Sequence, residues 1–414
     1  MEIWLNRAAT LRPDGIALEC EGTTVTYRQL QAEALARRPH ADSGERVPLA
    51  YEDRLEFALA LHGCLLAGAA AVPIDLRLGP DELARRNRPG RATTPGTLSV
   101  MYTSGTTSEP KPVELTHGNW LANALGSAVM LGLDLRERWL CPMPVAHVGG
   151  LSILLRSAIY ATTAVLHQRY DTEAVLAELM NPARRITLVS LVPTMLARLL
   201  DAGLRTPPTL RYALLGGGPI PAPLLERAAA CGVPVAPTYG MTEACSQIAT
   251  FGMTLPGVDA ALEPDGELLV RGPIVAPAAT DRSGWLRTGD LARFEAGGRL
   301  EIIGRKADTI VTGGENVAPA EVEAVLLAHP AVLDAGVFAC PDPEWGEAVH
   351  AAVVLRDASP VTPAQLRAFC GQRLAAFKVP KVLHLVDALP RTVSGKLLRR
   401  ELARALAPRE LAGS

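Results

Sequence analysis

The chain carries almost no net charge: 41 Lys and Arg against 43 Asp and Glu leave −2 at pH 7 over 414 residues. That balance argues against bulk attraction to nucleic acid or to an anionic membrane surface. Cysteine is scarce, and its seven copies are odd in number, scattered and without a Cys-x-x-Cys pair. Neither a disulfide framework nor a zinc site is indicated, and small buried hydrophobes are the expectation. No uninterrupted apolar run reaches membrane-spanning length, and Met1-Glu-Ile-Trp-Leu-Asn-Arg7 lacks the basic region and apolar core of a secretory leader. We therefore expect a cytoplasmic protein with no membrane insertion. Internal repeats and low-complexity tracts are also missing, as are a nucleophile elbow and a Ser-His-Asp pattern. What is present, 48% hydrophobic and 20% charged residues, is ordinary globular usage and enough for two or three domains.

Strand-like and helix-like stretches alternate, the pattern of an α/β fold with helices covering a largely parallel sheet. Thr26-Tyr-Arg-Gln29 has capping-box spacing and predicts a helix through Arg37. A second helix is predicted from about Leu55 to Ala67, stopped by Gly68, with Ala70–Ile74 following as a strand. Asn87–Gly96, rich in Pro, Gly and Arg, reads as an exposed connection. Near the C-terminal end the pattern changes. Helices at Ala320–Ala328 and Pro363–Leu374 and strands near Ala335–Phe338 and Ala351–Leu355 predict a small α+β unit.

Chemistry concentrates first in Tyr102-Thr-Ser-Gly-Thr-Thr-Ser-Glu-Pro-Lys111. Hydroxyls and glycine-rich backbone N–H groups can donate to phosphate oxygens, and a lysine adds a mobile positive charge. It is not a Walker A loop, because Lys111 is followed by Pro112 in place of Ser or Thr. Taken alone, a polar surface loop is an equal reading. Three further segments follow in order: Thr238-Tyr-Gly-Met-Thr-Glu243; Gly284-Trp-Leu-Arg-Thr-Gly-Asp290 running on to Gly304-Arg-Lys-Ala-Asp308; and Pro390-Arg-Thr-Val-Ser-Gly-Lys396. As an ordered set the four resemble the adenylate-forming superfamily of acyl-CoA synthetases, peptide-synthetase adenylation domains and luciferases. The resemblance runs from Val25-Thr-Tyr-Arg-Gln-Leu30 to Leu402.

The resemblance implies an α/β fold in two parts. Residues 1–305 would form a large domain of layered sheets and helices, 306–308 a hinge, and 309–414 a small mobile α+β domain carrying the catalytic lysine and the CoA-tunnel loop. It also implies a two-step reaction: a carboxylate attacks the α-phosphorus of ATP and releases pyrophosphate, then a thiol attacks the acyl-adenylate and expels AMP. Neither step needs a protein nucleophile; both need charge neutralisation and alignment.

Roles follow position by position from the same resemblance. Thr103, Ser104, Gly105, Thr106, Thr107 and Lys111 would hold the β- and γ-phosphates. Glu243 would bind Mg²⁺ and Thr242 would lie close to the α-phosphate. Gly216, Gly217, Gly218 and Tyr239 would form the adenine slot, with Gly240 beside them in the nucleotide site. Asp290 would accept from the ribose hydroxyls with Arg305 nearby, and Lys396 would bridge the carboxylate and the adenylate. Each has a plain structural alternative: a first-turn acid for Glu243, a core aromatic for Tyr239, a turn cap for Asp290. Lys396 also lies in a basic run with Arg373, Lys378, Lys381, Arg391, Arg399 and Arg400, which faces only Asp387 within that stretch.

Gly313, Gly314 and Glu315, in Gly313-Gly-Glu-Asn-Val-Ala-Pro-Ala-Glu-Val-Glu323, match the loop that lines the pantetheine tunnel of CoA ligases. Free coenzyme A is therefore the expected acceptor, with a separate carrier protein as the alternative. For the acid, Met143–Tyr160, Leu166-His-Gln-Arg169, Leu214-Leu-Gly-Gly-Gly-Pro219 and Tyr239–Gln247 resemble the o-succinylbenzoate–CoA ligases of menaquinone biosynthesis. In that setting His147 would sit at the pocket mouth and orient the acid. Arg156, which interrupts an otherwise nearly apolar segment, would meet a substrate carboxylate or, alternatively, an internal Asp or Glu. A ligase for another aryl or fatty acid and a non-catalytic adenylate-binding protein stay open; a homodimer is the assembly to consider. Departures from the pattern are Ser108 and Pro112 where glycines are usual, Ala307 where a polar residue is common, and a chain short for the family.

Overall fold

The computed structural model describes residues 4–103, 111–356, 360–391 and 397–406. Its largest sheet has six central parallel strands, in the order Val235–Met241, Tyr212–Leu215, Leu188–Leu191, Arg138–Cys141, Thr163–Leu166 and Ile16–Cys20. Antiparallel strands close both ends, Ser246–Thr250 with Met253–Thr254 on one side and Thr23–Thr26 on the other. The central strands are short apolar runs because both faces are covered. Leu140, Val165, Val189 and Ala213 join the core under helices Thr172–Met180, Pro193–Asp201 and Ala222–Ala230. Their neighbours Trp139, Ala164, Leu188 and Leu214 join the opposite core, with helices Arg54–Ala67, His117–Leu131 and Val148–Tyr160. The period of two along each strand thus feeds two separate helix layers.

A second sheet runs Arg46–Leu49, Ala70–Pro73, Thr97–Thr103 and Lys111–Thr116, the last pair being an antiparallel hairpin. A third is the antiparallel meander Asp259–Leu262, Glu267–Arg271, Leu286–Phe294 and Leu300–Arg305. Strand pairing changes partners at the 3-10 turn Lys306–Asp308. Beyond it, Ile310–Thr312, Glu315–Val317, Val332–Asp342, Gly346–Leu355 and Val382–Leu385 build a fourth sheet with its own core against helices Pro319–Leu327 and Pro363–Gly371.

The predicted elements appear where local chemistry is strong. Thr26 caps helix Tyr27–Ala36 with both capping-box hydrogen bonds, and Gly68 ends helix Arg54–Ala67 at φ 72°. The predicted small-unit helices are Pro319–Leu327 and Pro363–Gly371, and its two strands are longer than expected, Val332–Asp342 and Gly346–Leu355. All seven cysteines are buried and free. Among the described residues no helix is long and apolar enough to cross a membrane, and no cluster of three or more ligating side chains could hold a metal.

Candidate active site

Two of the expected nucleotide segments, Gly216–Gly218 and Tyr239–Glu243, lie at the carboxyl ends of parallel strands, where open α/β sheets place ligands. Gly216 follows strand Tyr212–Leu215 so tightly against the next strand that a Cβ there would lie 2.7 Å from Thr238 Cγ2 and 2.8 Å from its carbonyl oxygen. Gly217 has φ +79°, and both Gly217 and Gly218 are exposed, so a bare backbone edge is presented beside Tyr239. Gly240 is more constrained still. A Cβ there would stand 1.5 Å from the Ser246 carbonyl oxygen, because a bulge between Tyr239 and Gly240 presses the strand onto Ser246–Thr250.

The Tyr239 hydroxyl donates to Asp290 Oδ2 at 2.7 Å, and Arg305 Nε reaches Asp290 Oδ1 at 2.8 Å. Asp290 and Arg305 are register partners on neighbouring strands, which is why residues fifteen positions apart meet. The Asp290 backbone N–H donates to Thr288 Oγ1 at 3.1 Å, and Arg305 also donates to the Thr288 carbonyl at 3.3 Å. Burial and the adjacent Asp290 carboxylate push the Tyr239 phenol well above its ordinary value, so it stays a donor throughout the working pH range.

Thr242-Glu243-Ala244 form a 3-10 turn just past this strand, followed by Cys245 at φ 55° and Ser246 at φ 92°. Two successive non-glycine residues in left-handed backbone mark strain held by the surroundings. Ala276 N–H donates to the Glu243 carbonyl at 2.8 Å. The half-buried Glu243 carboxylate has no hydrogen-bond or ion-pair partner among the described residues. It therefore suits a hard cation such as Mg²⁺, whose remaining ligands would be phosphate oxygens and water.

Only the two ends of the expected phosphate loop fall within the described residues. Thr103 pairs with Lys111 at the end of the hairpin, and Pro112 stands opposite Tyr102 on an edge strand, where proline is tolerated. Ser104, Gly105, Thr106 and Thr107 lie outside the described residues, as does Lys396. Glu114 anchors the hairpin, accepting from Arg46 at 2.8 Å and from the Thr93 and Thr94 amides at 3.0 and 2.7 Å. Burial would raise its pKa, but these donors outweigh it and hold the carboxyl at about 2.

On the acid side, His147 is the N-cap residue of helix Val148–Tyr160, with its side chain 44% exposed. Its Nε2 lies 3.7 Å from Asp75 Oδ2, and Asp75 is gripped by Arg77 at 2.7 and 2.6 Å. Burial, with Arg77 and Arg86 nearby, lowers the His147 pKa against the opposing pull of Asp75, so the free imidazole is neutral near pH 7. Arg156, two to three turns further along the helix, is 2% exposed. It donates to Asn123 Oδ1 and lies over the Trp139 ring at 5.5 Å, and its Nε has no partner. The alternative of an internal Asp or Glu partner is not met among the described residues, since no ion pair involves Arg156. Asn123 in turn donates to the Gln247 carbonyl at 2.8 Å, behind the Thr242–Glu243 turn. Asp75, Arg86 and Asn123 had no sequence signal, because each matters through a contact distant in the chain, and Arg77 matters through its grip on Asp75.

In the fourth sheet, Gly313 (φ +57°) and Gly314 (φ +83°) make the turn that leads into exposed Glu315. A Cβ on Gly313 would strike Trp345 at 2.8 Å, whereas Gly314 faces open space. Lys381 Nζ lies 4.4 Å from the Trp345 ring centroid. The basic run is less one-sided than its sequence, since Lys378 pairs with Glu321, Arg391 with Asp334, and Arg399 with Glu323 and Asp308. At the 3-10 turn, Lys306 binds Asp265 at 2.6 Å and Glu267 at 2.9 Å, while Asp308 binds Arg399 at 3.2 Å.

An exposed glycine edge, a bonded Tyr–Asp–Arg set and the Glu243 carboxylate are the features an adenylate site would use, and comparison with known proteins identifies the family. Residues 5–94 and 87–278 match the AMP-binding enzyme family, and 321–396 match the AMP-binding enzyme C-terminal domain. The chain belongs to this family. It is 37% identical to the 2-succinylbenzoate–CoA ligase of Bacillus subtilis (strain 168), covering 96% of this chain and 97% of that protein. That alignment spans 474 positions, more than the 414 residues of this chain, so it carries gaps in this chain. Its fold is similar to that of o-succinylbenzoate CoA synthetase (MenE) from Bacillus subtilis in complex with the acyl-adenylate intermediate OSB-AMP. The TM-score is 0.87 at 35% identity, over 97% of this chain and 98% of that one. The same synthetase in complex with ATP and magnesium ion gives a TM-score of 0.86 at 35% identity, over 97% and 99%.

Proposed function

We propose that this chain is an ATP-dependent acid–CoA ligase that converts o-succinylbenzoate, ATP and CoA to o-succinylbenzoyl-CoA, AMP and pyrophosphate in menaquinone biosynthesis. The observation that carries the reading is the full-length likeness to 2-succinylbenzoate–CoA ligase, which includes the acid-side segment around His147 and Arg156 as well as the nucleotide motifs.

In this reading adenine lies along Gly216–Gly218 against Tyr239, and Asp290, already fixed by Tyr239 and Arg305, accepts from the ribose. Preorganisation of that carboxylate removes a reorganisation cost from binding. Mg²⁺, held by Glu243 with phosphate oxygens, would offset negative charge as the substrate carboxylate meets the α-phosphorus. Thr103 and Lys111 stand at the base of the phosphate loop, whose Ser104, Gly105, Thr106 and Thr107 complete it, and Lys396 bridges the two reacting groups. His147 orients the acid from the pocket mouth. Arg156 meets the second carboxylate, directly or through water, from within the pocket wall. Residues 1–305 act as the adenylation domain and 309–414 as the small domain, with rotation at 306–308 bringing Gly313, Gly314 and Glu315 to the CoA arm for the second step. A cytoplasmic enzyme is part of this reading, and a homodimer is the assembly to test by sedimentation.

ATP–pyrophosphate exchange with o-succinylbenzoate and a panel of other acids, followed by mass detection of the CoA thioester, tests the function. Exchange restricted to benzoates or fatty acids would overturn the substrate, and binding of ATP with no exchange for any acid would leave an adenylate-binding protein.

A further inference from the structure

Most helices whose N-caps carry short polar side chains use them on their own backbone. Thr26, Asp53, Thr116, Asp171 and Thr362 each accept an amide of the first turn. His147 occupies the same kind of position on Val148–Tyr160 and makes no such bond. Neither of its ring nitrogens has a hydrogen-bond partner among the described residues, so the ring is free for another task. Its Nε2 lies 3.7 Å from Asp75 Oδ2, contributed by a different sheet, just past strand Ala70–Pro73.

Asp75 is itself fixed. Arg77 closes on it with Nε at 2.7 Å, a terminal nitrogen at 2.6 Å and its own backbone N–H at 3.2 Å, and the Asp75 side chain is only 14% exposed. A carboxylate held this firmly, facing an imidazole that nothing else holds, is the arrangement by which a second group sets the orientation of a working histidine. The separation is longer than a hydrogen bond, as such contacts often are before substrate arrives. Three charged groups surround the imidazole: Asp75 favours its protonation, and Arg77 and Arg86 oppose it. Arg86 also packs its guanidinium over Tyr102 at 4.8 Å, so the cluster adjoins the base of the phosphate hairpin.

We propose that Asp75, clamped by Arg77, is a positioning residue for His147: it turns the imidazole so that Nε2 faces the protein and Nδ1 faces the acid being activated. A bound carboxylate adds a second anion beside the ring. The imidazole then takes up a proton and donates from both nitrogens, Nε2–H to Asp75 and Nδ1–H to the acid. The proposal deepens the ligase reading and rests on it for the identity of the reaction.

The test is a double-mutant cycle between Asp75→Asn and His147→Ala, read as KM for the acid and KM for ATP in pyrophosphate exchange, using the acid that wild-type enzyme activates best. Asp75→Asn keeps an acceptor for Arg77 and so keeps the fold, which a melting curve checks. In the His147 background of the wild type it should raise KM for the acid about tenfold, with ATP KM within about twofold. It should also move the upper pH limit of acid binding downward, because removing Asp75 removes the charge that favours the imidazolium. In the His147→Ala background it should have no further effect. Equal costs in both backgrounds, or a matching rise in ATP KM, would overturn the proposal and leave Asp75 as a structural partner of Arg77. A best acid other than o-succinylbenzoate would overturn the substrate assignment while the coupling still decides the role of Asp75.

Discussion

Removing the charge at Arg156 separates substrate recognition from architecture. Among the described residues the guanidinium, 2% exposed, has one side-chain hydrogen bond, to Asn123, lies 5.5 Å over Trp139, and keeps Nε without a partner. Replacing it by Met retains an unbranched apolar stem while deleting the charge; replacing it by Ala also opens space. Loss of the Asn123 bond and the ring contact should lower folding stability by about 1–3 kcal/mol, whichever substrate is present. A lost charge-assisted contact to the second carboxylate should cost about 1.5–3 kcal/mol more, but only for a dicarboxylic acid. The informative quantity is therefore the ratio of kcat/KM for o-succinylbenzoate to that for an analogue without the aromatic carboxylate, in which shared losses cancel. That ratio should fall by roughly one to two powers of ten in both variants. Steady-state rates of AMP release with each acid, at a temperature well below each variant's Tm, give the measurement. An unchanged ratio with both activities reduced would refute the substrate role and make Arg156 a brace that acts through Asn123 on the Gln247 strand.

Gly240→Ala must move backbone, since its Cβ would stand 1.5 Å from the Ser246 carbonyl oxygen. We expect a loss of about 3 kcal/mol in denaturant unfolding together with loss of pyrophosphate exchange, and a variant with normal exchange would show the strand pair can part freely. Gly314→Leu points into open space, so folding and pyrophosphate exchange should persist, whereas thioester formation should fall at least tenfold if this turn meets the CoA arm; normal thioester formation would place CoA elsewhere. Its φ of +83° should also lower Tm by a few degrees, at a cost of roughly 1–2 kcal/mol. For Glu114, the folded carboxyl sits at about 2 against an ordinary 4.5, so its stabilisation is present above 4.5 and lost as pH falls toward 2. Glu114→Gln should therefore cost roughly 1–3 kcal/mol at pH 7, and its difference from wild type in urea midpoints should shrink between pH 4.5 and 2. A constant difference would place the effect in packing.

Local chemistry made much of the fold legible. The Thr26 capping box, the Gly68 stop and the paired glycines at 313 and 314 announce their conformations, because each acts within a few residues. The nucleotide motifs were legible as types, but their joining was not: that Tyr239 and Arg305 would hold opposite oxygens of Asp290 depends on strand register. Charge was the least readable property. The stretch that holds Lys378, Arg391 and Arg399 faces only Asp387 in sequence, yet Glu321, Asp334, Glu323 and Asp308 come from earlier segments to meet it. Arg156 shows the converse, a buried cation for which an acidic neighbour was a reasonable expectation and which met an amide and an indole instead.

At the junction of the third and fourth sheets, Lys306 is moored to Asp265 and Glu267 and Asp308 is moored to Arg399, while exposed Ala307 between them has no side chain with which to take sides. Three consecutive residues thus act as a bolt, a joint and a bolt. If the chain rotates at 306–308 as proposed, the motion would be funnelled into the torsions of one alanine, the smallest residue whose backbone still prefers the common wells. Such a joint resembles a detent more than a loose string: it favours a few discrete settings over a continuum. The Lys306–Asp265 pair is the solvent-exposed one, so dissolved salt would loosen that bolt before the more sheltered Asp308–Arg399 pair.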